Sequence, residues 1–218
     1  MEAAPGKGAF MYIDTRNVVV TATIEGIAEA KSAYSAWTGR GGYFAWAPEY
    51  VITVSVARTL AQWCSWLTIW PEYRLVDAMR DAGIGRTGPK PIPNDNRRAD
   101  LLLCWNGDRP RALIEVKRNV ESWARIATDV ARLQSLLSKA EGPGSFELGV
   151  VAFSSTVLGD RGDRAARDLL NERLKRVARA ACALTLPGWQ CGFRARPVEF
   201  DGHEYWAAAA VVLERCPG

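Results

Sequence analysis

The chain has 218 residues, 48% of them hydrophobic and 24% charged, with a formal net charge of +4. That is the composition of an ordinary globular protein with room for a sizeable core, and its mild basicity permits a polyanionic partner without demanding one. Cys64, Cys104, Cys182, Cys191 and Cys216 form no Cys-x-x-Cys pair and there is a single histidine, His203, which argues against a structural zinc site. An odd set of scattered thiols suits a reducing compartment. The opening MEAAPGKGAF lacks the apolar segment of a signal peptide, and no apolar run approaches the roughly 18 residues of a membrane span. The expected location is therefore cytoplasmic, away from membranes.

In chain order, residues 1–9 read as a loose tail. Val20, Ile24, Ile27, Ala28 and Tyr34 recur at near-helical spacing and predict a helix over 18–37. TGRGGYF (38–44) interrupts it, and Pro48 suits the first turn of a second helix from Glu49 to about Trp66, whose β-branched beginning also fits a strand. PEYRLVDAMRDA (71–82) reads as a short helix, with LTIWPEYRL as an alternative first strand. The glycine- and proline-rich stretch 83–98 is a long loop, a kind of segment that often carries function.

LLLCW and RALIEVK then read as two strands joined by NGDRP, whose Asn-Gly signals a hairpin. Trp123, Ile126, Val130, Leu133 and Leu137 predict a helix that stops at a glycine-rich EGPG, and ELGVVAFSS (147–155) a buried strand. A helix over 163–184 begins at Asp163, a good N-cap. Two last strands, CGFRARPVEF and EYWAAAAVVLE, meet at the turn DGH, which makes His203 a turn residue. The fold class expected is α/β, a mixed central β-sheet flanked by helices. Residues 1–45 read as a tail and helical extension, and 46–218 as the main domain.

The hairpin RRADLLLCWNGDRPRALIEVKRN carries charges that its apolar neighbours would not favour. Because the chain reverses near residue 108, Asp100 falls across from positions 115–117, and side-chain alternation sends Glu115 and Lys117 to one face while Ile114 and Val116 enter the other. Two carboxylates held together repel unless a positive charge lies between them, and coordination of a hard divalent cation such as Mg²⁺ uses such a pair. A lysine beside that ion can orient the attacking water or stabilise charge developing on a phosphate.

Asp100 followed by Glu115-Val116-Lys117 resembles the signature of the PD-(D/E)XK nuclease superfamily, with Ala99 where the family name has proline. The resemblance spans roughly residues 49–155 and implies a restriction-endonuclease-like core. By it, Asp100 and Glu115 bind Mg²⁺ or Mn²⁺, the carbonyl of Val116 adds a ligand, and Lys117 assists the hydrolytic water. It also implies a glutamate from the preceding helix, for which Glu49 is the first choice and Glu72 the second, and in some branches a glutamine after the motif, here Gln134.

The substrate implied is DNA, with RNA left open. Arg97, Arg98, Arg118, Arg125 and Arg132 are the candidate phosphate contacts, each of which also fits a solvated polar face. The arginines of 163–184 alternate with acids and read as surface ion pairs. Most of the nine tryptophans are expected in the core or at interfaces, with GRGGYFAW (39–46) as a loop over nucleic acid. Restriction, phage defence and repair are the settings such a nuclease fits, as a homodimer or with a partner protein. The rival readings are an inactive nuclease-fold module for nucleic-acid or protein binding, and a structure-specific junction or flap nuclease.

Overall fold

The computed structural model describes residues 14–39, 42–83, 97–105, 108–139 and 146–216. The N-terminal tail, Arg40-Gly41, most of the loop expected at 83–98, Asn106-Gly107 of the hairpin turn and the EGPG stop lie outside those residues.

Helix α1 (Thr15–Trp37) starts where the Asp14 carboxylate accepts the Arg16 N–H at 3.1 Å, satisfying one of the donors a helix start leaves open. It packs on α2 (Glu49–Trp63) at Gly26, where an added Cβ would lie 2.5 Å from Val56 Cα, so only a glycine allows this approach. Between them, a 3-10 turn at Phe44–Trp46 buries Phe44 against Trp206.

Helix α2 stops at Trp63 rather than the expected Trp66. Cys64 leaves helical geometry (φ −129°, ψ 66°) and Trp66 turns edge-on to Trp105 at 6.1 Å, a tertiary contact that local propensity does not report. Both readings of the next segment are realised in succession: strand β1 (Thr68–Arg74), then helix α3 (Leu75–Asp81).

Strands β2 (Arg98–Trp105) and β3 (Arg109–Lys117) form the hairpin. A 3-10 turn at Trp123–Arg125 leads into α4 (Ala127–Leu137), which crosses over to β4 (Leu148–Leu158). Helix α5 (Arg164–Cys182) follows, N-capped by Asp163 through the Ala166 N–H at 3.0 Å. Strands β5 (Trp189–Ala195), β6 (Glu199–Phe200) and β7 (Glu204–Arg215) complete the chain, β6 and β7 meeting at the expected turn.

The seven strands make one mixed sheet in the order β1-β2-β3-β4-β7-β5, with β6 pairing to β7. Among the described residues β3 and β4 run parallel, as a strand pair joined by a crossover helix does, and the other pairings are antiparallel. The expectation of a mixed sheet covered on both faces is met, with α1 to α5 supplying the cover among the described residues. On one face α1 and α2 bury Leu101, Leu103, Ile114, Val116 and Val150. On the other, α3, α4 and α5 bury Leu102, Leu113, Phe153, Val211 and Leu213.

Helix α1 therefore shares a core with α2 and the sheet. The tryptophans divide between core and surface. Trp105, Trp189 and Trp206 are buried, but Trp37, Trp46, Trp63, Trp66 and Trp70 stand exposed. Among the described residues no helix is long and apolar enough to cross a membrane.

Candidate active site

The hairpin register sets the geometry. Leu101 pairs with Ile114, so the next rung places Asp100 across from Glu115, and Asp100 Oδ2 accepts the Val116 N–H at 2.6 Å. Alternation along β3 sends Ile114 and Val116 into the core under α1 and α2. Glu115 is thereby turned to the α4 side, where Arg132 Nη2 lies 2.8 Å from its Oε2 and 2.9 Å from Asp129 Oδ1. Glu115 is 2% exposed, and its second oxygen, Oε1, is buried with no hydrogen-bond partner among the described residues. A buried carboxylate oxygen left without a donor is costly in a folded protein and is an open ligand position.

Lys117, at the end of β3, places Nζ 3.3 Å from Glu49 Oε1, and Glu49 Oε2 accepts the Arg118 N–H at 3.2 Å. Glu49 is the first residue of α2 after Pro48, so the helix macrodipole favours its negative charge there. Of the two glutamates proposed from the sequence, Glu49 is the one that reaches the lysine.

Glu72 lies across from Asp100 on the other side, between the rungs Pro71–Leu101 and Tyr73–Ala99. Its φ of +52° is left-handed, and its carbonyl accepts Arg98 Nη1 at 3.1 Å. Glu72, Asp100 and Glu115 thus form a row of acids over β1, β2 and β3. Nevertheless, no group of three or more His, Cys, Asp or Glu among the described residues is gathered closely enough to hold a metal by protein ligands alone.

The charges are perturbed as this crowding requires. Burial pushes Glu115 up to about 7, with Arg132 and Lys117 opposing and Asp100 adding to the rise. Burial also raises Asp100; the Val116 N–H and Lys117 pull it down, while Glu49 and Glu72 push it further up. For Lys117, burial favours the neutral amine but is outweighed by Glu49, Asp129, Asp100 and Glu115, so its pKa rises and the ammonium is retained.

The remaining candidates divide. Arg97 and Arg98 are exposed at the start of β2, and Leu75 N–H donates to the Arg97 carbonyl at 3.0 Å. Arg118 and Arg125 are exposed beyond the end of β3. Arg132, expected at phosphates, is instead turned inward between Glu115 and Asp129, because its place on α4 faces the sheet. Gln134 is half-buried and makes no hydrogen bond to Asp100, Glu115 or Lys117 among the described residues. His203 sits in its turn, its N–H donating to Asp201 Oδ1 at 3.1 Å.

The Arg132–Asp129 pair is not among the candidates that the sequence offers. The signal for it was an acid and a base three residues apart on α4, beside the apolar stripe of Ile126, Val130 and Leu133. Chemically, the arrangement offers hard oxygen donors, a retained ammonium and a guanidinium at the end of one hairpin. Comparison with family models, with curated proteins and with solved structures finds no match.

Proposed function

We propose that the protein is a metal-dependent nuclease with a restriction-endonuclease-like core, hydrolysing phosphodiester bonds in DNA by direct attack of water. The observation that carries this reading is the convergence of Asp100, Glu115 and Lys117 at one end of the β2–β3 hairpin, with Glu49 of α2 beside the lysine. The donor set suits Mg²⁺, which binds through one or two carboxylates and keeps its other positions for water and phosphate oxygens. The unpartnered Glu115 Oε1 supports that fit. Asp100, Glu115 and the Val116 carbonyl would hold the ion, and Mn²⁺ would substitute for it.

When bound, the ion supplies charge neutralisation at the phosphate and a more acidic water. Lys117, retained as an ammonium by the surrounding acids, acts as a hydrogen-bond donor that orients the water and stabilises developing charge, rather than as a general base. Glu49 holds that ammonium in position. Arg132 fixes one Glu115 oxygen and leaves the other for the ion.

The test is incubation with linear, circular and branched DNA, and with RNA, in Mg²⁺ or Mn²⁺ and then in EDTA. Cleavage is expected with either metal, stopped by EDTA and reduced by about a hundredfold or more in Glu115→Ala and Lys117→Ala. Binding without cutting under every metal would sink the reading. Position-specific cuts would indicate restriction or phage defence, and cuts at branch points a junction or flap enzyme acting in repair.

A second reading, a nuclease-fold module that only binds nucleic acid or protein, is favoured by one observation. Glu115 and Lys117 are already neutralised by Arg132 and Glu49. The same experiment separates the two.

A further inference from the structure

Two cavities of about 270 and 390 Å³ adjoin beyond the end of β3 and share Ala45, Asn119 and Glu121. Together they form a groove that starts at Arg118, the residue after Lys117. Its walls hold three guanidinium groups, from Arg118, Arg125 and Arg173, against one carboxylate, Glu121.

The guanidinium groups of the groove have no carboxylate partner among the described residues, unlike several partly buried arginines elsewhere. Arg111, Arg132, Arg194 and Arg196 each pair with an acid. In the groove, among the described residues, Arg118 Nη1 donates to the main-chain carbonyls of Trp46 and Ala47 at 3.4 and 3.5 Å, and Arg173 Nη1 to that of Thr156 at 2.9 Å. Arg125 makes no ion pair among the described residues. Arg118 and Arg173 are held in place, and none of the three is paired with an acid among the described residues, which is the condition for binding an anion.

The groove also has an aromatic wall. Trp46 is 62% exposed and is braced edge-on against Tyr43 with ring centroids 4.8 Å apart. An exposed, braced indole beside unneutralised arginines combines the two elements of single-strand recognition, a stacking surface and cations along the backbone. A base within a continuous duplex presents no free face to such a wall.

We propose that this groove holds an unpaired nucleotide next to the phosphate at Asp100, Glu115 and Lys117, with its base on Trp46 and its phosphate at Arg118 and Arg125. The preferred substrate is then a nucleic-acid strand that is single or splayed on one side of the cut. This rests on the nuclease reading for the place of the cut, but not for the binding itself.

The experiment measures fluorescence anisotropy of labelled oligo-dT, oligo-rU, a blunt duplex and the same duplex with a single-stranded overhang. It uses the full chain in Ca²⁺, alongside cleavage of the same probes in Mg²⁺. Trp46→Ala and Arg125→Ala should each weaken binding of the single strand and the overhang by about tenfold, and of the blunt duplex by less than about twofold. Trp46→Phe should restore most of the loss, which a folding defect would not. Arg164→Ala, exposed at the start of α5 and not lining the groove, should bind as wild type. The dT and rU arms show which sugar the groove accepts.

Equal affinity of wild type, Trp46→Ala and Arg125→Ala for the unpaired probes, or no binding of them by wild type, would overturn the groove. Glu115-dependent cleavage with that outcome would leave the nuclease standing. Trp46-dependent binding without cleavage in any metal would remove the nuclease and leave the groove.

Discussion

Glu115 has one oxygen on Arg132 and the other without a partner among the described residues, and burial dominates its titration. With a pKa raised from 4.5 to about 7, it binds a proton in the metal-free folded protein that the unfolded chain has already lost between those values. Its contribution to stability is therefore full below about pH 4.5 and lost as pH rises through about 7, on the order of 3 kcal/mol in all. In EDTA, Glu115→Gln should flatten the pH dependence of the urea midpoint across that window; an unchanged slope would show that Glu115 is not the group titrating. Added Mg²⁺ should stabilise wild type more at pH 8 than at pH 5, because a ligand must be deprotonated.

Glu72 carries a left-handed backbone beside this site, which costs a non-glycine residue about 1–2 kcal/mol. Glu72→Gly should relieve that strain, remove a carboxylate across from Asp100, and raise stability by up to about 1 kcal/mol in thermal unfolding. The residues themselves were legible to different degrees. Alternation on one strand and reversal near residue 108 bring Asp100 to Glu115 from the sequence alone. Arg132 was not legible as their partner, since an arginine on an amphipathic helix reads as surface until the helix phase against the sheet is known.

At the scale of elements, the α1–α2 crossing depends on one glycine. Gly26→Ala would drive a methyl into the Val56 backbone, and the helices would have to separate. A loss of about 1–3 kcal/mol is expected, each kcal/mol lowering Tm by roughly 2–4 °C; a variant as stable as wild type would mean the helices do not pack at Gly26. The pattern of apolar residues along the chain foretold α1, α4, α5 and the strands of the hairpin, because period and caps are local. It did not foretell that α1 belongs to the main core, since an apolar helical stripe says only that something covers it. Nor did it choose between strand and helix at 67–82, where a short apolar run and a helical one abut and both form.

For the whole molecule, the candidate site and groove lie toward the carboxyl ends of β3 and β4, a parallel pair, near the turn at Phe44–Trp46. Parallel strands send their loops to one edge, and ligands in α/β sheets gather at such edges. The two cores pack either face of that sheet, while exposed arginines give a mildly basic molecule its local positive field. The most direct test of the central claim is the initial rate of plasmid nicking in saturating Mg²⁺ by wild type and Glu115→Gln, both confirmed folded. A rate reduced by about a hundredfold or more in the variant is the result expected. Equal rates, or no nicking by either protein in Mg²⁺ or Mn²⁺, would contradict it.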